Sequence, residues 1–185
     1  MDIVALYIGA YLLGSIPTAY LIGRLVKGVD IRGYGSGNVG SANLYEHVGK
    51  RWVYPVAVVE IFVKGTAPIW FALFVLDIDR SSAYIIGPPL LTLAGNNWSV
   101  FLKLQGGRGI AVAGGTLLAL TPLLAVGCAV ISIGGWKLTK SSGLWVLISL
   151  TLLPVWAYLL HDNLNLVWYT FGILGLVVLK RLSSN

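Results

Sequence analysis

Two polar segments interrupt an otherwise apolar chain, and their residue types suit the binding of an anion. The first reads IRGYGSGNVGSAN (residues 31–43), and the second reads GNNWSVFLKLQGGRGIA (residues 95–111). In the first segment, glycines allow successive backbone N–H groups to converge, and Ser36, Asn38 and Asn43 add short polar side chains. A nest of donors of this kind favours a phosphate group.

The second segment places Gly106, Gly107 and Arg108 directly before a predicted apolar helix. A helix N-terminus offers unpaired N–H groups and a partial positive charge, and arginine can hold phosphate through two parallel hydrogen bonds. The two segments together predict one phosphorylated ligand, or two, held between them. Each segment alone is also compatible with a tight turn that needs glycine only for its backbone angles.

Lys64 lies near the middle of an apolar segment, with Glu60 four residues before it. An ionised residue at membrane depth usually marks a site or a pathway, but a pair at this spacing can also neutralise itself within one helix. Both interpretations remain open. His47 and His161 have no neighbours at metal-ligand spacing, so no metal site is predicted, and no Ser-His-Asp or Cys-His set can be assembled.

The composition indicates what kind of scaffold carries these residues. Of 185 residues, 57% are hydrophobic and only 11% charged, and the mean hydropathy is +0.82. These values exclude an ordinary soluble domain and predict an all-α integral membrane protein that forms one domain over residues 1–185. Cys128 is the single cysteine, so an internal disulfide is excluded.

Seven apolar segments predict about seven transmembrane helices in one bundle. They cover residues 3–26, 53–76, 83–94, 110–120, 121–136, 144–160 and 164–179. The first begins without a basic cluster and is interpreted as a retained span rather than a cleaved signal peptide. The third and fourth are short, and short or broken spans are tolerated where they border protein or a watery cavity. We therefore expect the cavity between these two.

The basic residues predict the orientation of the bundle. With seven spans, one side collects Arg24, Lys27, Arg32, Lys50, Arg51, Lys103, Arg108, Lys137, Lys140, Lys180 and Arg181, whereas the other side has Arg80 alone. The positive-inside rule then places the N-terminus outside, the C-terminus in the cytoplasm and both polar segments on the cytoplasmic face. The positive charge is thereby explained by topology, and nucleic acid is not predicted as a partner.

Four motifs together resemble one family. GSIPTAYLIGR, DIRGYGSGNVGSAN, VKG and GNNWSVFLKLQGGRGIA occur in the order typical of the acyl-phosphate-dependent glycerol-3-phosphate acyltransferases of bacteria. The resemblance implies a seven-span enzyme of the bacterial cytoplasmic membrane. It also implies transfer of an acyl group from acyl phosphate to the sn-1 hydroxyl of glycerol 3-phosphate, yielding lysophosphatidic acid and phosphate for phospholipid synthesis. Neither a metal nor another cofactor is implied; the expected partners are the two substrates and the lipid bilayer.

The resemblance also assigns roles to residues. It implies catalytic roles for Ser36, Asn96 and Arg108. It implies phosphate or substrate binding by Arg32, Gly37, Asn38, Gly40, Asn43, Lys64, Gly106, Gly107 and Ser142.

Several positions depart from the family pattern. Asn96 stands where the family usually has histidine, Glu46 where it has arginine, and Arg108 where it has lysine. Ile61 occupies the position of an aspartate, with Glu60 one residue earlier, and in the short tail only Arg181 matches the family's polar cluster.

Two alternative functions stay open, the first of them because of these departures. One is a paralogue that binds lipid or acyl phosphate without catalysis, as a regulatory membrane protein. The other is a small anion transporter, which the broken spans and Lys64 would suit although no internal repeat is visible.

Overall fold

The computed structural model describes residues 2–183, which fold into helices without a β-strand in that range. The α-helices are α1 (Asp2–Ser15), α2 (Thr18–Lys27), α3 (Ser41–His47), α4 (Val53–Val58), α5 (Ala67–Phe74), α6 (Gly87–Asn97), α7 (Ile110–Leu120), α8 (Pro122–Thr139), α9 (Ser142–Leu160) and α10 (Leu164–Leu182). A π-helical segment (Val59–Thr66) joins α4 to α5, and short 3-10 turns cover Ile31–Gly33, Lys50–Trp52, Ala83–Ile86 and Val100–Leu102.

Helices occupy all seven predicted apolar segments, but they differ in length. Within residues 2–183, five stretches are long and apolar enough to cross a membrane: Asp2–Lys27, Lys50–Phe74, Pro122–Thr139, Ser142–Leu160 and Leu164–Leu182. At about 1.5 Å per residue, the 11 residues of α6 and the 11 of α7 each cover only about half of a hydrocarbon core. The all-helical class is confirmed, whereas seven crossings and their orientation stay predictions.

The first predicted span is interrupted. Ile16 and Pro17 separate α1 from α2, because proline lacks the N–H that a continuous helix requires. Before the break, α1 packs along the short helix α6. A Cβ atom added to Gly14 would collide with the backbone of Thr92, and one added to Gly95 would collide with the carbonyl of Tyr11. Glycine therefore sets the close approach that fixes the end of α6, where the second polar segment begins.

A second close crossing joins the π-helical segment to α7. A Cβ atom on Gly65 would lie 2.6 Å from Cα of Gly115, and one on Gly115 would overlap the backbone of Ile61. A π-helix is rare and often lies at a functional site. Here it carries Glu60 and Lys64, and the glycine contact fixes the segment against α7.

This crossing gives a test of packing in which two neighbouring residues serve as a matched pair. Alanine at Gly115 would press on backbone atoms, whereas alanine at Gly114 would meet nothing within 4 Å. We expect Gly115→Ala to lower the stability of the folded protein by roughly 1–3 kcal/mol, the usual cost of overpacking. We expect Gly114→Ala to leave it unchanged or raise it slightly, because alanine favours helix. Thermal unfolding in detergent measures both, and equal melting temperatures would contradict this close crossing.

The remaining helices complete the bundle around a common apolar core. α8 packs on α9, and α9 packs on α10. Leu153 and Ile173 are fully buried in this core, whereas Phe74, Val130 and Leu138 are exposed on the outside of the bundle. Exposed apolar side chains of this size are expected where a protein faces lipid. The polar segments, the start of α9 and the end of α10 lie together at one end, around the cavities described next.

Candidate functional site

The first polar segment is folded around Asn43. This side chain is 1% exposed, and its Nδ2 donates hydrogen bonds to the carbonyls of Ile31 (2.7 Å), Tyr34 (3.1 Å) and Asn38 (3.1 Å). Gly37 has a φ angle of +66°, which glycine adopts without strain. The structure thus places Asn43 beneath the loop, where it holds the shape of the loop. Direct contact of Asn43 with a substrate stays a prediction.

Arg32 connects the two polar segments. Its guanidinium donates to Asp30 through Nε (3.0 Å to Oδ1) and Nη2 (2.7 Å to Oδ2), while Nη1 donates to Oε1 of Gln105 at 3.0 Å. These hydrogen bonds to Arg32, with a weaker contribution from nearby Arg24, lower the pKa of Asp30 to about 2. Arg32 therefore lies at the predicted site with most of its donors already engaged in holding the loops together.

The pH dependence of this connection follows from the lowered pKa. Because the folded pKa of Asp30 lies below the ordinary 3.8, its ion pairs contribute stability above pH 3.8 and lose it as the pH falls towards 2. We expect the Asp30 carboxyl carbon to titrate near pH 2 by NMR, and near its ordinary value once Arg32 is replaced by alanine. An Asp30 that titrates at 3.8 in the unaltered protein would show that the bidentate pair does not form in solution.

The second polar segment crosses directly over the end of α6. The N–H of Gly107 donates to the carbonyl of Asn96 at 2.9 Å. A Cβ atom on Gly107 would lie 3.0 Å from the carbonyl oxygen of Val39, so the two predicted segments are in contact at this glycine. The prediction that they act on a common ligand gains a geometric basis from this contact.

Two cavities lie on either side of this contact. The larger, which we call the polar cleft, has a volume of about 880 Å³. Its lining includes the predicted residues Arg32, Ser36, Gly37, Asn38, Gly106 and Arg108. The smaller, which we call the inner cavity, has a volume of about 370 Å³. Its lining includes Asn38, Gly40, Glu60, Asn96, Gly107, Arg108 and Ser142. Of the predicted site residues, all except Asn43 and Lys64 line one of the two cavities.

Asn38 and Arg108 line both cavities and so belong to the wall between them. Arg108 is exposed, and its guanidinium has neither a hydrogen bond nor an ion pair with any residue in the described range 2–183. Its donors are consequently available to an anion from either side. This contrasts with Arg32, whose donors are used within the protein.

Lys64 lies behind the inner cavity in a buried network. Its ammonium group donates to Oε1 of Glu60 at 2.7 Å and to Oδ1 of Asn96 at 3.1 Å, and the side chain is only 1% exposed. The i, i+4 pair considered from the sequence is thus formed. The network also couples the π-helical segment to α6, and it orients Glu60 and Asn96 at the cavity wall.

Sequence reasoning missed several residues of the polar cleft, among them Lys180 and Trp98. Lys180 near the end of α10 lines the cleft, and its Nζ lies 5.9 Å from the centre of the Trp98 ring. Arg181, the residue that matched the family tail, instead donates to the carbonyl of Gly143 at 3.3 Å. Both basic residues were visible in the sequence, but which of them faces the cleft depends on the rotation of α10.

An apolar groove continues from the inner cavity between α7, α8 and α9. It has a volume of about 180 Å³ and is lined by residues such as Leu117, Ala125 and Leu150. Ile110 and Val146 line both the groove and the inner cavity, so the two spaces adjoin. The arrangement therefore offers a polar compartment on one side of Arg108 and a compartment leading to an apolar groove on the other.

A family model and two sequence relatives carry the same description. The family model described as glycerol-3-phosphate acyltransferase matches residues 4–185. "Glycerol-3-phosphate acyltransferase 5" of Dehalococcoides mccartyi is 35% identical over 96% of this chain and 76% of its own length. The glycerol-3-phosphate acyltransferase of Desulforamulus reducens is 30% identical over 98% of this chain and 88% of its own length.

Two crystal structures share this fold. The glycerol 3-phosphate form of PlsY (YgiH), described as an integral membrane glycerol 3-phosphate acyltransferase, has a TM-score of 0.91 at 27% identity, covering 99% of this chain and 90% of the other. The lysophosphatidic acid form has a TM-score of 0.88 at 26% identity, covering 98% and 88%. The likeness extends over nearly the whole helical bundle described above.

Proposed function

Because the chain belongs to the glycerol-3-phosphate acyltransferase family, we propose that it acylates the sn-1 hydroxyl of glycerol 3-phosphate with acyl phosphate as the donor. The observation that carries this proposal is the position of Arg108. It is an uncommitted cation in the wall between two cavities, where it can serve two phosphorylated substrates at once.

The two cavities differ in ways that suit the two substrates. Glycerol 3-phosphate is small and fully polar, and the polar cleft supplies Ser36, Gln105 and Lys180 around it. Acyl phosphate combines an anionic head with a long chain, and the inner cavity leads from Arg108 and Ser142 to the apolar groove. We therefore assign the acceptor to the polar cleft and the donor to the inner cavity, with the acyl chain in the groove.

The reaction then needs little more than positioning and charge stabilisation. The sn-1 oxygen bonds to the acyl carbonyl carbon, the bond from that carbon to the phosphate oxygen breaks, and the hydroxyl proton leaves on the released phosphate. Holding both reactants in register removes much of the entropic barrier, and Arg108 with nearby N–H donors stabilises the charge that develops on the phosphate. This route requires neither a metal nor a nucleotide cofactor.

The proposal includes a location and a domain organisation. The excess of lysine and arginine on one side supports a multi-pass protein of the bacterial cytoplasmic membrane with the active site facing the cytoplasm. Residues 1–185 would form one domain, because the site is built from helices distributed along the chain, from the loop after α2 to the end of α10.

The decisive experiment measures phosphate release from palmitoyl phosphate by the purified protein, with and without glycerol 3-phosphate. Acceptor-dependent release together with lysophosphatidic acid formation would support the proposal. If release does not exceed the protein-free control while palmitoyl phosphate still binds, the chain is instead a binding paralogue. Asn96 in the usual position of histidine is the observation that favours this second candidate.

A further inference from the structure

In the buried Glu60–Lys64 pair at the back of the inner cavity, only one of the two carboxylate oxygens of Glu60 accepts a hydrogen bond from within residues 2–183. Oε1 of Glu60 accepts the hydrogen bond from Lys64 at 2.7 Å. Oε2 of Glu60 makes no hydrogen bond to any residue between Asp2 and Ser183, although Glu60 lines the inner cavity. A carboxylate oxygen at a cavity wall is an acceptor that is available to a ligand.

The residues around this oxygen fix its position. Lys64 donates to the other oxygen of the same carboxylate, and its ammonium group also donates to Oδ1 of Asn96 at 3.1 Å. The π-helical segment that carries Glu60 is held against α7 by the contact between Gly65 and Gly115. Oε2 is therefore a rigid acceptor rather than a mobile surface charge.

The charge distribution of the inner cavity makes this hydrogen-bond acceptor selective between an alcohol and a phosphate group. Among the described lining residues, Glu60 is the only carboxylate and Arg108 the only cation. A carboxylate repels phosphate but accepts a hydrogen bond from an alcohol. Of the two proposed substrates, acyl phosphate carries no alcohol, whereas glycerol 3-phosphate, the acyl acceptor, is a polyol. Glu60 is thus suited to the hydroxyl end of the acceptor and Arg108 to phosphate.

On this basis, which rests on the proposed function, we infer that Glu60 is a specificity-determining residue that binds and orients an acceptor hydroxyl through Oε2. The acceptor's phosphate stays in the polar cleft, and its hydroxyl end passes Asn38 and Arg108 into the inner cavity. A polyol phosphate bound in this way presents its hydroxyl to the acyl carbonyl in one orientation.

A simpler role for Glu60 would be to neutralise Lys64, and a pair of variants separates the two roles. Glu60→Gln removes the charged acceptor but leaves Lys64 without its counter-ion. Glu60→Gln/Lys64→Met removes both charges at similar side-chain volumes, so it restores neutrality to the interior. Asp162→Asn is the matched control, because Asp162 is an exposed carboxylate in the loop between α9 and α10 and lines neither cavity.

The experiment measures steady-state kinetics with palmitoyl phosphate and glycerol 3-phosphate varied in turn. We expect kcat/KM for glycerol 3-phosphate to fall at least about tenfold in both Glu60 variants, as for the loss of a hydrogen bond to a charged group. The KM for palmitoyl phosphate should stay within about twofold of its value in the unaltered protein, because binding of the acyl donor does not depend on Glu60. Asp162→Asn should match the unaltered protein.

Two results would overturn the inference. Recovery of full activity in the double variant would show that Glu60 only balances the charge of Lys64. An equal loss of donor and acceptor affinity would show that Glu60 supports the cavity as a whole. Failure of the proposed function is distinct from both, since in that case the unaltered protein itself would release no phosphate in response to glycerol 3-phosphate.

Discussion

Replacing Arg108 by alanine should lower kcat/KM by about 10²–10³-fold, the loss expected when a preorganised donor to a developing negative charge is removed. The expectation follows from its place in the wall between the polar cleft and the inner cavity. Both proposed substrates carry phosphate, and the charge on one of them increases as the acyl bond breaks. The measurement is acceptor-dependent release of phosphate from palmitoyl phosphate by purified variants.

The same position offers a conservative variant. Arg108→Lys keeps the charge but loses the planar fork of donors, so we expect an activity between those of arginine and alanine. Both variants should fold normally, because the Arg108 side chain is exposed and has no partner within residues 2–183. Equal melting temperatures combined with undiminished turnover in Arg108→Ala would remove this residue from the mechanism.

The positions of the two polar segments could be predicted from the sequence, because glycine-rich polar runs in an apolar chain have few alternatives. Their contact could also be anticipated from the expected topology. The sequence could not predict which side chains of a motif face the cavities and which support the loop from beneath. Asn43 and Asn38 are both amides of one motif, yet Asn43 is buried beneath the loop and Asn38 lines both cavities. That difference depends on the course of the loop backbone.

The residues at the end of α10 illustrate a second limit. Lys180 and Arg181 are adjacent, and a helix places adjacent residues about 100° apart on its surface. Lys180 therefore lines the polar cleft while Arg181 contacts α9 through Gly143. Composition cannot distinguish them, because the choice follows from how α10 packs on α9. The break at Pro17 was missed for a related reason, since the apolar run of residues 3–26 continues through the proline.

Glu60 and Lys64 show a case in which the sequence supported two interpretations and the structure connects them. The pair is formed, as a helix-stabilising pair would be, but it also contacts Asn96 at the inner cavity. Isolated buried ion pairs seldom add net stability, because removing both charges from water is costly. This pair also holds Asn96 at the inner cavity, which gives it a role beyond stability. Ile61 stands where the family usually has an aspartate. Glu60, one residue earlier, places a carboxylate at the inner cavity.

Gly106→Ala should strongly lower activity although it removes no functional group. A Cβ atom at this position would lie 2.6 Å from the carbonyl oxygen and 2.8 Å from the carbonyl carbon of Asn97, and it would also collide with the carbonyl of Asn96. These are backbone atoms at the end of α6, and Asn97 is further anchored by its hydrogen bond to the carbonyl of Leu176 at 3.2 Å. The second loop must therefore move, and Arg108 moves with it.

A displacement of about 1 Å in a positioning element can cost about 10²-fold in rate, so we expect a loss of that order in kcat/KM for Gly106→Ala. Gly107→Ala should lose less, because its added Cβ would lie 3.0 Å from the carbonyl oxygen of Val39, a distance that a small shift of the first loop relieves. Gly134→Ala in α8 is the control, since a Cβ there meets nothing within 4 Å. Activity should therefore be highest in Gly134→Ala, lower in Gly107→Ala and lowest in Gly106→Ala. If all three variants turned over equally, the close contact between the second loop and the end of α6 would not be what positions Arg108.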